Sequence, residues 1–373
     1  MTICFYGTYD REYTSNKLIL TGLAQNNVTV REVNAHIPVT RLDKENDMTW
    51  WHMFRRIVQK YRIIPVTIRH WKDIKESDAI YVGYPGHFDV FFAFLVAKLA
   101  GKKLVFNPLL IIYVGFSEEQ GILKKNSVLA KSIKFLESLA YRCCDLVFAD
   151  TPFQKSFLVN DFGVPESKLT VLAIGADDKY YAYTPYTNKS KKINVVYYGL
   201  YSPIHGVEYI IEAAHLLKDN KNITFTMVGN GNKFAESYDR AQKLGLDNMI
   251  FHSDKPVSEH PAIIEKGDIF LGFLADHPTV DRVIPNKVYQ GLALNKVVVT
   301  ADSPVSRSVF THKENMYLVK SANAKAFATA LVELQENPEL RLHIATKGYE
   351  LFTKNYTPKA VGRLLVEKIQ SIV

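Results

Sequence analysis

One pattern constrains this chain above all others. Short, β-branched apolar runs alternate with helix-length segments, and the alternation is run through twice. In the first half, residues 3–6, 28–32, 79–84, 103–106, 146–149 and 169–172 read as strands, with helices over 15–26, 90–100, 127–142 and 152–162. Residues 180–192 then turn to Tyr, Pro, Thr, Asn, Ser and Lys with no apolar period, which is the composition of a linker. The alternation restarts with strands at 194–198, 224–228, 249–251, 269–273 and 297–300 and helices at 207–217, 236–244, 287–294 and 324–335. Strands that recur only after a helical crossover must pair in parallel and be covered on both faces. The expectation is therefore an α/β chain of two Rossmann-like, doubly wound domains facing a cleft. Residues 1–178 form the first domain, 179–192 the linker, 193–355 the second domain and 356–373 a terminal helix returning to the first. Ligands are expected at the carboxyl ends of the strands.

Size and charge narrow the classes. A chain of 373 residues exceeds one ordinary core and suits two. The longest apolar run, residues 90–97, is far below the roughly 20 residues of a membrane span. Residues 1–6 read as a first strand, without a basic region or cleavage site, so a cytoplasmic location is expected. Three cysteines, Cys4, Cys143 and Cys144, supply neither a disulfide framework nor spaced metal ligands. The net charge of +8 is unevenly spread. Between residues 50 and 75, Arg55, Arg56, Lys60, Arg62, Arg69, Lys72 and Lys75 face a single acid, Asp73, and Trp50, Trp51 and Trp71 lie in the same stretch. Tryptophans among cations suit the headgroup level of an anionic membrane; the alternative is a solvated helix whose tryptophans fill the first core. Trp50, Trp51, Arg55, Arg56, Lys60 and Arg62 are thus the candidate membrane and acceptor surface. Nucleic acid is not expected, because the cations form one short cluster with no binding module.

The second domain opens on a strand that ends in Tyr198-Gly199-Leu200-Tyr201-Ser202-Pro203-Ile204-His205-Gly206 and runs into a helix. Free amides at such a helix start can hold a phosphate, although a glycine turn of this kind also arises wherever the backbone needs a positive φ. Further pieces recur in order: Tyr6 to Asp10, Gly175-Ala176-Asp177, Val228-Gly229-Asn230-Gly231, the segment Arg282-Val283-Ile284-Pro285-Asn286-Lys287-Val288-Tyr289-Gln290, and Val297 to Pro304. Together these resemble the GT-B glycosyltransferases of family 4 (GT4, the glycosyl transferases group 1), particularly those of surface-glycan synthesis. The resemblance spans nearly the whole chain. It implies a hexosyltransferase-type enzyme that moves a sugar from a UDP- or GDP-sugar to a glycan or lipid-linked acceptor, with retention of configuration.

The resemblance also assigns residues. Gly229, Asn230 and Gly231 would lie at the base and ribose of the donor, while Pro285, Asn286, Lys287, Tyr289 and Gln290 would grip phosphate and ribose. Gly7, Tyr9, Gly199, Tyr201, His205 and Gly206 complete the expected donor contacts. Two departures stand out. Gln290 occupies the place of the second glutamate of the family's E-x7-E pattern, and Arg282 that of the first. An amide oxygen can still accept from a ribose hydroxyl, but the negative charge is gone. His205 alone represents the usual basic pair of the first loop. Lys287 and Arg282 are therefore expected to neutralise the leaving diphosphate. In the first domain, Asp10 and His87 sit on loops at strand ends as candidate catalytic or sugar contacts, and Asn107 stands where related enzymes often place a histidine. No Asp-x-Asp pair ends a strand, so no essential metal or other cofactor is expected. Sugar transfer is then chiefly positioning and electrostatics. Two other readings stay open, a GT-B nucleotide-sugar epimerase and a non-catalytic partner that binds a nucleotide sugar or glycan for another transferase. The sequence leaves the oligomeric state unassigned.

Overall fold

The computed structural model describes residues 1–37 and 58–373. The chain forms two compact units, Met1–Ile174 with Pro358–Val373, and Gly175–Thr357. Each is built on a six-stranded, wholly parallel sheet.

In unit 1, strands β1 (Thr2–Gly7), β2 (Thr29–Asn34), β3 (Ala79–Val82), β4 (Lys103–Phe106), β5 (Leu146–Ala149) and β6 (Leu169–Val171) lie in the order β2-β1-β3-β4-β5-β6. Strands β3 and β5 are buried throughout, because helices cover both sheet faces. Alternate residues serve different cores. Cys4, Tyr6, Ile80, Val82, Leu104 and Phe106 pack under the helices Asp89–Ala100, Val128–Cys143 and Pro152–Phe162. Ile3, Phe5, Tyr81 and Phe148 pack instead under Thr14–Gln25 and the C-terminal helix Pro358–Gln370. These last two helices cross at Gly22 and Gly362, where a Cβ on Gly362 would meet the Gly22 carbonyl oxygen at 2.4 Å. Helix starts follow local chemistry: Ser127 Oγ accepts from Ala130 N, and Thr151 Oγ1 accepts from Gln154 N ahead of Pro152.

In unit 2, β7 (Ile193–Tyr198), β8 (Ile223–Val228), β9 (Met249–His252), β10 (Ile269–Leu271), β11 (Val297–Ala301) and β12 (Tyr317–Val319) take the order β12-β11-β10-β7-β8-β9. Counted within the unit, this is the 3-2-1-4-5-6 order of the dinucleotide-binding fold, and the chain reverses direction between β7 and β10. Four elements carry no clear period in the sequence and were not anticipated: β12, and the helices His260–Glu265, Pro304–Val309 and Pro338–Asn355. The segment with linker composition is tied to this unit. Arg341, fully buried, donates to the Tyr186 hydroxyl at 2.8 Å and to the carbonyls of Asn188, Ser190, Leu334 and Gln335. No helix among the described residues is long and apolar enough to cross a membrane.

Candidate functional site

The reversal between β7 and β10 opens the sheet edge where an α/β unit takes its ligand. Two glycine turns interlock there. Gly199, at φ 143°, ends β7, and Gly229, at φ 148°, ends β8. Gly199 N donates to Val228 O at 3.0 Å, Tyr201 N to Asn230 O at 2.8 Å, and Lys233 N to Tyr201 O at 3.0 Å. The backbones run so close that a Cβ on Gly229 would lie 1.9 Å from Gly199 O, so no other residue fits without moving the turn. On the β10 side, Leu274 N donates to His205 O at 3.2 Å, and the Gly206 Cα packs against the Ala275 amide.

Below this turn lies Lys287, on the first turn of the helix Asn286–Ala293. Pro285 holds the N-cap in extended geometry, and no side chain caps the first-turn amides. Lys287 is buried, and its Nζ has no hydrogen-bond partner among the described residues. The ammonium sits 4.3 Å from the centre of the Tyr197 ring, and a Cβ on Gly199 would approach Nζ to 3.0 Å. Burial away from any carboxylate pushes its pKa down to about 7. His205 is buried beside it, with Nδ1 3.0 Å from Ser202 Oγ and its ring against Phe273. Burial first, and the charge of Lys287 second, hold the imidazole well below its ordinary range, so it is neutral at physiological pH. A desolvated cation, a glycine turn against it and uncapped helix amides form a receptor for an anion, and a phosphate group matches all three.

Comparison with known proteins bears on this geometry directly. Residues 184–351, which contain all of it, match the sequence model of the family described as glycosyl transferases group 1. Over that segment the chain is similar to the glycosyl transferases group 1 domain. No curated protein sequence matches the chain. Solved structures resemble it along its length. HepE of Anabaena in complex with UDP-glucose is 15% identical, with 100% of each chain covered and a TM-score of 0.67. Sucrose-phosphate synthase of Thermosynechococcus elongatus is 12% identical, covering 100% of this chain and 98% of the other, at 0.70. A glycosyltransferase of Rickettsia africae is 16% identical, with 100% and 98% covered, at 0.65. The fold, two parallel-sheet α/β units, is that of the GT-B glycosyltransferases.

Within that segment, several residues read as donor contacts are placed in the interior. Tyr201 and Tyr289 are fully buried, Tyr201 at an edge of Phe234 and Tyr289 against Tyr356. Tyr201 packs under the interlocked turns, where a Cβ on Gly231 would meet its backbone at 2.7 Å. Gln290 is also buried, and its Oε1 accepts from the Tyr198 hydroxyl at 2.8 Å. That bond engages one of the two lone pairs of the oxygen assigned to a ribose hydroxyl. Asn230 is exposed, with its side-chain oxygen accepting from Gly231 N. Arg282 sits in a turn in which its N–H donates to Thr279 O, three residues before Pro285. Sequence reasoning missed Tyr197, because an aromatic in a buried strand reads as core.

Unit 1 has its own cluster at the ends of β1 and β3. Asp89, fully buried, accepts from Thr8 N and Thr8 Oγ1, both at 2.9 Å, and pairs with Lys60 Nζ at 3.1 Å. Lys60 also donates to Thr8 Oγ1 and Pro85 O. This corrects the reading of Lys60 as a surface cation: its charge is spent inward on Asp89. Gly7 packs on the same carboxylate, with its Cα facing Asp89 Oδ2. Tyr9 lies in the core, its hydroxyl donating to Glu32. Asp10 accepts from Glu12 N and remains half-exposed. His87 is not a loop-surface histidine. It is buried, with Nε2 3.0 Å from Leu110 O and 3.4 Å from Glu137 Oε1, and Glu137 in turn accepts from Ile112 N, Tyr113 N and Tyr141 Oη. Arg62 is exposed on a 3-10 turn, while Trp50, Trp51, Arg55 and Arg56 fall outside the described residues.

Proposed function

We propose that this protein transfers a sugar from a nucleotide diphosphate donor, a UDP- or GDP-hexose, to a hydroxyl of a glycan or lipid-linked glycan, with retention of configuration in the manner of family 4. One observation carries the proposal: the buried ammonium of Lys287 under the Gly199 turn, without a hydrogen-bond partner among the described residues. Breaking the glycosidic bond leaves negative charge on the departing diphosphate while the sugar gains oxocarbenium character. Lys287 is placed to meet that charge in a desolvated setting, where an ion pair is worth far more than in water. The amides of the Asn286–Ala293 helix start add a second positive pole. His205, held neutral, contributes a hydrogen bond and no charge. The departing phosphate takes the proton of the attacking hydroxyl, so no protein nucleophile is required.

Replacing Lys287 with Met tests this. Donor affinity is expected to weaken by at least about thirtyfold, and turnover to fall further, because the lost interaction is stronger in the transition state. Unchanged donor affinity and turnover would refute the assignment. A second reading, a nucleotide-sugar-binding partner without transfer activity, draws on the Tyr198–Gln290 bond, which occupies a group expected to hold ribose. Release of nucleotide from the donor, with or without acceptor, separates transfer from binding alone.

A further inference from the structure

The outer surface of unit 1 is lopsided. Among the described residues, fourteen of the twenty-two exposed large apolar side chains fall between positions 58 and 139. Most of them sit on the helices that cover one face of the sheet, and Phe88, Leu110 and Ile122 lie in the loops between. Leu95 and Leu99 project from Asp89–Ala100 with exposures of 59% and 76%, and Val128 and Phe135 from Val128–Cys143 with 83% and 66%. Leu129, Leu136 and Leu139 extend the second helix's apolar strip. Ile64 and Ile68 mark the outer side of Ile63–Arg69, and Tyr61 just before it meets Phe92 edge to face at 5.5 Å. The helices Thr14–Gln25 and Pro358–Gln370, on the opposite sheet face, expose no large apolar residue. Val128–Cys143 therefore has two apolar faces, one in the core and one in solvent.

Charge selects the occupant. Unit 1 holds 25 of the Lys and Arg residues against 18 Asp and Glu, and so carries seven of the chain's eight net positive charges. The only acids on Asp89–Ala100 and Val128–Cys143 are Asp89 and Glu137, and both are buried. Ile63–Arg69 has none. The solvent side of these three helices thus offers apolar side chains interleaved with exposed cations such as Arg69, Lys98, Lys131 and Arg142, and none of the three carries an exposed carboxylate; Asp161 of the adjoining helix Pro152–Phe162 pairs with Lys134 at 3.9 Å. A protein partner would have to desolvate these lysines, which interface cores avoid. A bilayer surface does not, since lysine stems lie along the apolar layer and their ammonium groups reach lipid phosphates.

We propose that this helix face docks the protein on an anionic phospholipid surface. Leu95, Leu99, Val128, Phe135 and Leu139 enter the interface, and the flanking cations meet the headgroups. The inference is independent of the donor site and goes beyond the transfer reaction.

The test is co-sedimentation of the full chain with vesicles of phosphatidylcholine alone and of equal parts phosphatidylcholine and phosphatidylglycerol, at low and physiological salt. The wild type is expected on the anionic vesicles, more weakly as salt rises, and not on the neutral ones. The double variants Phe135→Glu with Leu139→Glu, and Leu95→Glu with Leu99→Glu, are each expected to lower partitioning by at least about tenfold. All four side chains are exposed, so thermal melting and nucleotide-sugar binding should match the wild type, and a variant that fails both is replaced by the serine pair. Wild-type absence from anionic vesicles overturns the proposal. So does full retention by both variants, which would leave docking to residues 50–75. Self-association of the wild type that the same substitutions disperse, with no vesicle binding, also overturns it by making a second copy the occupant. Loss of nucleotide-sugar binding with vesicle binding intact would count against the transferase reading alone.

Discussion

If Lys287 receives the donor diphosphate, binding must draw in a proton. The lysine titrates near 7 in the free protein because burial penalises its charge with no carboxylate to offset it. A diphosphate against Nζ restores the charged form and moves the pKa back toward its ordinary value of 10.5. At pH 8 roughly one free chain in ten carries the proton, so about 0.9 proton is taken up per donor bound. At pH 6 the uptake falls to about 0.1. Donor affinity is then about tenfold weaker at pH 8 than at pH 6, close to 1.4 kcal/mol. His205 does not blur the window, since burial keeps it neutral across it. A nucleotide sugar is the right ligand, because its diphosphate is esterified at both ends and does not titrate here. Calorimetric titration in two buffers of different ionisation enthalpy counts the protons directly. A flat affinity from pH 6 to 8 with no proton uptake would refute the role given to Lys287.

The same shift has a sign for stability. Between about 7 and 10.5 the unfolded chain keeps a proton that the folded chain has released, so stability rises with pH across that window. The cost is complete below the folded value and absent above the unfolded one. Lys287→Met, expected to bind donor poorly, is therefore expected to be more stable at pH 7, on the order of 4 kcal/mol. A lower melting temperature would show that the ammonium is held by contacts stronger than the Tyr197 ring.

Three further outcomes follow from the described geometry. Gly229→Ala places a Cβ 1.9 Å from Gly199 O, so the turn must open; a loss of about 2 kcal/mol in stability and most donor affinity is expected, checked by denaturation and titration. Arg341→Ala strands the carbonyls of Asn188, Ser190, Leu334 and Gln335, at a cost of about 3 kcal/mol, and residues 182–192 should become open to proteolysis. Transfer activity is expected to survive exhaustive treatment with a metal chelator, since Lys287 and helix amides are assigned the charge that a divalent ion would otherwise balance. Activity lost to chelation and restored by magnesium would overturn that assignment.

Much of the architecture was legible because parallel strands buried on both faces must be written as apolar runs. The strand at residues 103–106, the strand at 146–149 and the helix at 152–162 coincide with β4, β5 and Pro152–Phe162. What escaped has identifiable causes. Strand β12 is three residues long and shows no period, and Pro338–Asn355 presents mostly polar residues around a thin buried strip. The glycine turns and Lys287 were visible as types at strand and helix ends. Their surroundings were not, because burial is a property of neighbours distant in sequence. Tyr9, Tyr201 and Tyr289 look the same in sequence whether they face a ligand or lie buried in a core. Likewise, His87 flanked by glycine suggests an open loop, yet its partners Leu110 and Glu137 come from a stretch that local reading does not connect to it.

The two departures from the family pattern bear on the state of Lys287, whose pKa is lowered by burial. The pattern would place glutamates at positions 282 and 290, on either side of this lysine in the chain. Here Arg282 and Gln290 remove both carboxylates, and Gln290 turns its oxygen to Tyr198, whose hydroxyl also engages Tyr181. With glutamate nearby, a buried lysine would keep its charge through an ion pair and would give up part of that pair to bind phosphate. Without one, it has only the face of Tyr197, and its charge is held by whatever anion arrives. Under the proposed function, ribose hydroxyls lose a carboxylate acceptor in the exchange, so nucleotide affinity is expected to rest more heavily on the diphosphate than the family pattern provides. If Lys287 receives the donor, binding is then expected to depend on pH in the range where the cell works, through a residue that ordinarily does not titrate there.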